Sequence, residues 1–467
     1  MSETISGNSQ WNGLDMPRRL WAIMAVAFGV SASVISGAIV NVALPTFSAE
    51  MSVSSADSVW AINSYQLAIV MTLLIFSNLG DIVGYRRIYI SGLVLFTLAS
   101  LGCALAGSFT MLILCRIVEG VGAAAVTSIN TTIIRIIYPR DRLARGLGIN
   151  ATIVAVSSVA GPSLAAAILS VASWHWLFLI NIPFGIAAFL VGLRYLPHNP
   201  PRDRKPKYDF VSAIENAAMF GLLFLGLGGY SGRNDEPKMI LLVLAALTVG
   251  VFYIFRERRR PIPMLPVDLF KIRTYSLSII TSVCSFIAQM LVMVSLPFLF
   301  LNSYGFSSIT TGLLMTPWPV ATMIISPFAA RFVERHNAGA TAAAGMAVYA
   351  IGLLLIIFLP ATNITEFDII WRMTVCGIGY GMFQTPNNIV MVSSTPVQRT
   401  GGAGGMQSTA RLVGQTLGAT LVTIVFAVMQ GNTYHLVHIC LATSMAFAIF
   451  AGIFSISRKS QLKQNRV

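Results

Sequence analysis

The chain has 467 residues, of which 55% are hydrophobic and 10% charged, with a mean hydropathy of +0.75. A soluble domain carries about a quarter charged residues, so this composition lacks the polar surface that water demands and excludes an ordinary soluble protein. The net charge of +14 raises the question of nucleic acid. The Lys and Arg residues lie, however, in short clusters between apolar blocks, the pattern of loops held at one membrane face.

Fourteen apolar segments of spanning length follow one another. They lie near residues 20–43, 59–79, 88–107, 111–134, 147–170, 174–196, 210–230, 238–255, 275–301, 309–330, 339–360, 367–391, 404–430 and 434–456. Residues 1–19 are polar, hold no signal-peptide core, and are expected to form a cytoplasmic tail. The first segment contains ISGAIVNVALP (35–45), with Ser36 near its middle.

The second segment runs into GDIVGYRR (80–87). Gly80 and Gly84 permit a tight turn, Arg86 and Arg87 sit at the membrane face, and Asp81 suits the positive end of a helix dipole. In the fourth segment Arg116 and Glu119, three residues apart, share one helix face. Ionisable groups at membrane depth are costly and usually face a bundle interior or a cavity. The fifth segment holds Gly161-Pro162 among small residues, the composition of a kinked and closely packed helix.

Segments seven and eight lie between the basic stretches 201–209 and 256–273. ARFVERHNAG (330–339) after segment ten echoes GDIVGYRR, and Arg372, Gly377 and Gly379 echo Arg116, Gly120 and Gly122. The chain therefore divides into a six-helix bundle (20–200), a two-helix insert (201–273), a second six-helix bundle (274–456) and a tail (457–467). Doubled bundles of this kind are typical of secondary transporters. With the N-terminus inside, the inner segments hold twenty-six of the 31 Lys and Arg residues and the outer loops two, which predicts both termini in the cytoplasm.

The five cysteines fall inside apolar blocks and read as free thiols. No metal-ligand cluster, nucleophile elbow or Walker-type phosphate loop stands out, so no metal, cofactor, enzymatic activity or ATP-driven pump is expected.

Several stretches together resemble the fourteen-span drug:proton antiporter family of the major facilitator superfamily. They are IVNVALP (39–45), LGDIVGYRR (79–87), RIVEGVGAA (116–124), AGPSLAAA (160–167) and SWHWLFLINIPFG (173–185), in the family's order. The resemblance implies an all-α major facilitator fold in the bacterial inner membrane, working as a monomer by alternating access. Its partners are then a small organic substrate, protons and the lipid bilayer, with no nucleic acid. It casts Asp81, Gly84, Arg86 and Arg87 as a cytoplasmic gate, and Gly161 and Pro162 as a seam suited to export.

That family commonly places an acid in helix one, where this chain has Ser36, and Gln at the position of Glu119. A serine hydroxyl does not ionise, so Glu119 beside Arg116 becomes the expected proton carrier; simple mutual neutralisation of the two is the alternative. Burial disfavours a carboxylate's charge and a guanidinium favours it, so substrate arrival could tip the balance.

The expected substrate wall comprises Ser36, Asn63, Tyr65, Gln66 and Asn130 in the first bundle, with Gln289, Met290, Trp318, Gln384, Asn387 and Asn388 in the second. Such a lining suits amphipathic or cationic organic compounds. The competing function is an uptake symporter or uncoupled facilitator, which the missing helix-one acid favours.

Overall fold

The computed structural model describes residues 13–139, 142–197, 209–228, 236–259, 269–335, 337–360, 364–395, 400–429 and 431–458. The fold is all helical, with a helix on each expected segment. In the first bundle these are α1 (Arg18–Glu50), α2 (Trp60–Val83), α3 (Tyr85–Ala104), α4 (Phe109–Ser128), α5 (Leu143–Val171) and α6 (Asn181–Tyr195). The insert is α7 (Phe210–Gly228) and α8 (Glu236–Arg258). The second bundle is α9 (Arg273–Phe298), α10 (Pro317–Arg335), α11 (Ala338–Ile357), α12 (Glu366–Ser393), α13 (Thr400–Val428) and α14 (Thr433–Ile456).

Side chains cap several starts where the backbone N–H groups lack helical partners. Ser108 accepts from the Met111 amide ahead of α4, and Asn432 from that of His435 ahead of α14. α1 runs on through Pro45 to Glu50, past the expected boundary; a buried helix in a membrane bundle tolerates such a proline because its neighbours satisfy the freed groups. Segments four and ten each break once, giving the pieces Asn130–Ile137 and Ser308–Met315.

Among the described residues, twelve helices are long and apolar enough to cross a membrane. The two expected segments outside that set have separate reasons. The apolar part of α7, Phe210–Gly226, is short. α12 has 28 residues but carries Glu366, Asp368, Arg372, Gln384, Asn387 and Asn388.

The two bundles repeat one packing plan. In the first, α4 lies between α2 and α3, α1 packs on α5 and α6, and α3 meets α6. In the second, α12 lies between α10 and α11, α9 packs on α13 and α14, and α11 meets α14. Each relation recurs with helix numbers raised by eight. The glycines of the sequence echo make the closest approaches equivalent. A Cβ on Gly122 would stand 2.5 Å from the Phe96 backbone nitrogen, and one on Gly379 would stand 2.3 Å from that of Tyr349. Only glycine lets these backbones come so near.

The cation of the echo does not repeat. Counting back four residues from Gly377, as Arg116 stands from Gly120, reaches buried Met373. Arg372 instead pairs with Asp368 in the first turn of α12, 3.2 Å away, and stacks over Trp371.

Across the bundles α1 meets α9, α2 meets α13, and α5 meets Ser308–Met315. The insert leans on α2 and α13, its Phe220 and Phe224 packing with Leu412. One apolar core joins the halves at one end, where Val42, Leu44 and Phe47 share a cluster with Leu296, Phe298 and Met315. At the end carrying both chain termini each half keeps its own cluster, around Tyr85 and Tyr138 in one and Tyr275 and Met391 in the other. The cleft is this seam between the halves, joined by apolar packing at one end and flanked by separate clusters at the other.

Candidate functional site

Arg116 and Glu119 lie at the centre of a buried polar cluster drawn from four helices, and both side chains are inaccessible to solvent. The i, i+3 spacing on α4 sets them side by side, and the Arg116 Nη1 donates to Glu119 Oε2 at 2.7 Å. Arg116 Nε donates to the Ala61 carbonyl on α2 at 2.9 Å. The guanidinium also lies over the Tyr65 ring, 4.0 Å from its centroid. Tyr65 in turn donates its hydroxyl to the Ser33 carbonyl on α1. Arg116 Nη2 is buried without an acceptor.

Ser36 fills the space where the resembled family has its acid, and it joins both charges. Its hydroxyl donates to Glu119 Oε1 at 2.8 Å and accepts from Arg116 Nη1 at 2.9 Å. Ser100 of α3 donates to the same Oε1 at 2.8 Å, and the Cys103 thiol lies 3.6 Å from Oε2. Glu119 thus accepts from four donors, about the full capacity of an ionised carboxylate. A proton added there turns one acceptor position into a donor and must break or re-aim one of these contacts. Ser100 and Cys103 carried no motif in the sequence; only the packing of α3 on α4 brings them in.

The other expected site residues separate by exposure. Ser36, Asn63, Tyr65, Gln66, Asn130, Met290, Trp318 and Asn387 are buried in this conformation, whereas Gln289, Gln384 and Asn388 are half-buried. Asn63 reaches Thr423 of the other half at 3.4 Å, and Asn130 donates to Asn150 at 2.9 Å. Trp318 packs with Tyr349 and Tyr380, and Tyr380 donates to Gln289 at 3.1 Å.

Adjacent amides at membrane depth need partners, and Asn387 finds one that the sequence did not suggest. Its Oδ1 accepts from Arg458 at 2.6 Å, and Arg458 also donates to Ser278 and Ser455. Burial lowers the Arg458 guanidinium to about 10, since desolvation penalises its charge. Asn387 therefore belongs to a lock between α9, α12 and the end of α14.

Among the expected gate residues, Gly84 takes φ +114° at the turn from α2 to α3, a conformation that glycine alone adopts easily. Arg86 donates to the Leu193 carbonyl at the end of α6, and Arg87 is exposed. The Asp81 side chain lies outside the described residues. In α5, Gly161 closes on Ala38 of α1, where an added Cβ would meet another at 2.6 Å. Beyond Pro162 the helix touches the opposite half, through Ser163 to Thr316 at 2.9 Å and Ala166 against Gly312. Among the described residues no group of three His, Cys, Asp or Glu is placed to hold a metal.

The Major Facilitator Superfamily model matches residues 26–419 and 279–465. The chain belongs to that superfamily. It is 49% identical over 452 residues to the uncharacterized transporter YebQ of Escherichia coli, covering 97% of this chain and 98% of YebQ. It is 29% identical to the multidrug resistance protein Stp of Mycobacterium tuberculosis, covering 89% of this chain and 77% of Stp. Against the riboflavin transporter RibZ of Clostridioides difficile it is 27% identical, covering 90% of each. The superfamily and these relatives make the chain a multi-pass membrane transporter.

Proposed function

We propose that this superfamily member is a proton-coupled exporter of amphipathic organic compounds, of the fourteen-span type, in the bacterial inner membrane with both termini in the cytoplasm. The observation that carries the coupling is the saturated Glu119 carboxylate, whose counter-ion Arg116 is itself tied to α1 and α2.

Protonating Glu119 leaves Arg116 without its counter-charge and breaks or re-aims at least one of the carboxylate's four contacts. Ser36 links that change to α1, which packs on α9 of the opposite half. The proton state of one buried group is thereby connected to the seam between the bundles, as alternating access requires. Ala166 of α5 and Gly312 of the opposite Ser308–Met315 piece supply a seam close enough to seal one side while the other opens.

Export rather than uptake is supported by the Gly161-Pro162 helix at that seam and by the similarity to Stp, named for multidrug resistance. Similarity to RibZ, named for riboflavin transport, supports a planar and amphipathic cargo. The test is flux in proteoliposomes, with riboflavin and a panel of planar dyes as probes, with and without an imposed pH gradient. Gradient-dependent accumulation that Glu119→Gln removes supports the proposal. Flux that ignores the gradient in the unmutated protein moves the chain to the facilitator reading.

A further inference from the structure

We infer that Arg411 makes the central cleft selective for organic anions, carboxylate-bearing planar compounds above all. This deepens the transport reading and rests on it.

Arg411 lies near the middle of α13, a helix of the seam that meets α2 of the opposite half. Among the described residues it makes no hydrogen bond and no ion pair, and its Nε is buried without an acceptor. Its side chain is half-buried on this seam helix. One face of α13 continues this character: Gln407, Ser408, Arg411 and Gln415 share a stripe and are all half-buried, while Ala410, Leu412 and Gly414 beside it are covered.

The acids on the helices packed against α13 are terminal or already paired, Glu215 of α7 with Arg256 at 2.8 Å and Asp368 of α12 with Arg372 at 3.2 Å. Along the six helices that meet across the halves, α1, α2, α5, α9, α10 and α13, every Asp and Glu stands in a terminal turn. Glu119 reaches inward from α4, but Arg116 cancels it at 2.7 Å. The titratable group whose charge acts on Arg411 is the Tyr380 phenol of α12, itself bonded to half-buried Gln289. Among the described residues, Arg411 is therefore a guanidinium at the seam with no acid paired to it.

That charge also breaks the pseudo-symmetry. Gly161 closes on Ala38 in the first half as Gly418 closes on Met290 in the second. Seven residues before those contacts stand Val154 on α5 and Arg411 on α13. Packing is met by the apolar residue in one half, so packing does not require the arginine in the other. A lone guanidinium at membrane depth is costly to keep, and it offers a planar donor fork suited to a carboxylate. Phe286, Tyr380 and Trp318 nearby form an aromatic cluster beside the anion site. The sequence pattern had extended the cargo to cationic compounds; the lone Arg411 disfavours them.

The test uses two dyes with the same three-ring skeleton, anionic fluorescein and cationic rhodamine 123. Binding to the purified full chain is read by fluorescence anisotropy, without any gradient. Fluorescein is expected to bind at least about tenfold more tightly, the ratio that a hydrogen bond to a charged group supports. Arg411→Gln is expected to remove that preference and Arg411→Lys to keep most of it. Thermal unfolding reports whether Arg411→Gln folds. If it does not, Gln415→Glu, which adds an acid one turn along, is expected to move the preference towards rhodamine 123.

Equal or tighter binding of rhodamine 123 to the unmutated protein, failure of fluorescein to bind, or an unchanged dye ratio in the folded variants would overturn the inference. Binding selectivity is expected to survive Glu119→Gln. Failure of proton coupling therefore leaves the Arg411 result standing, and failure at Arg411 leaves the coupling result standing.

Discussion

Replacing Glu119 with Gln changes charge at the centre of the buried cluster with little change of volume. The Gln oxygen can keep the Ser36 and Ser100 bonds, both 2.8 Å in the unmutated site, but its amide group faces the Arg116 Nη1 that lay 2.7 Å from Oε2. Breaking one partner of a buried ion pair costs about 3–5 kcal/mol, and the retained hydroxyl contacts place this variant near the lower end, about 3 kcal/mol. Thermal unfolding in detergent measures that loss. Adding Arg116→Met in the same chain is expected to restore part of it, because the orphaned charge goes too. In proteoliposomes Glu119→Gln is expected to abolish gradient-driven flux while keeping ligand binding. Full gradient dependence in Glu119→Gln would refute the coupling role and leave the pair a purely structural one.

Ser36→Ala removes one donor to Glu119 and one acceptor from Arg116, so it is expected to lower stability by about 1–3 kcal/mol and to reduce coupled flux more than uncoupled exchange; flux unchanged in both modes counts against the bridge. Gly122→Val puts a side chain where a Cβ already stands 2.5 Å from the Phe96 backbone nitrogen, so folded yield in detergent is expected to collapse. Gly107→Ala, with nothing within 4 Å of the added Cβ, is expected to match the unmutated protein. Reporter fusions at Lys463 are expected to signal the cytoplasm and those near Asn234 the exterior, and the reverse pattern would sink the proposed orientation.

The helices were legible because membrane depth leaves the backbone no partners except its own, so long apolar blocks have one structural outcome. Even the narrow divide between segments five and six, four residues of SVAS, holds: α5 ends at Val171 and Ala172 is extended. Breaks such as Ile129 and the extension of α1 past Pro45 depend on neighbours that composition does not encode. The repeat was legible through its glycines, which recur because two backbones must approach at the same place in each half. It misled at Arg372, since an arginine near the right spacing can serve a terminal turn as readily as a buried cluster.

The site divides along the same line. Arg116 and Glu119 were visible because ionisable residues are rare at membrane depth, and Ser36 stood out as a departure from a family pattern. Its actual role, a hydroxyl held between the two charges, needed α1 and α4 to be brought together. The exchange is then chemically coherent. Moving the acid from α1 to α4 keeps a carboxylate against Arg116 and leaves α1 attached through a bridging hydrogen bond. It also leaves α1 without an ionisable side chain between its terminal turns. With the carboxylate held in a saturated buried pair, Arg411 of α13 has no acid paired to it among the described residues. The displacement that buries the carboxylate beside Arg116 is the same one that leaves the proposed Arg411 site without an acid on α1.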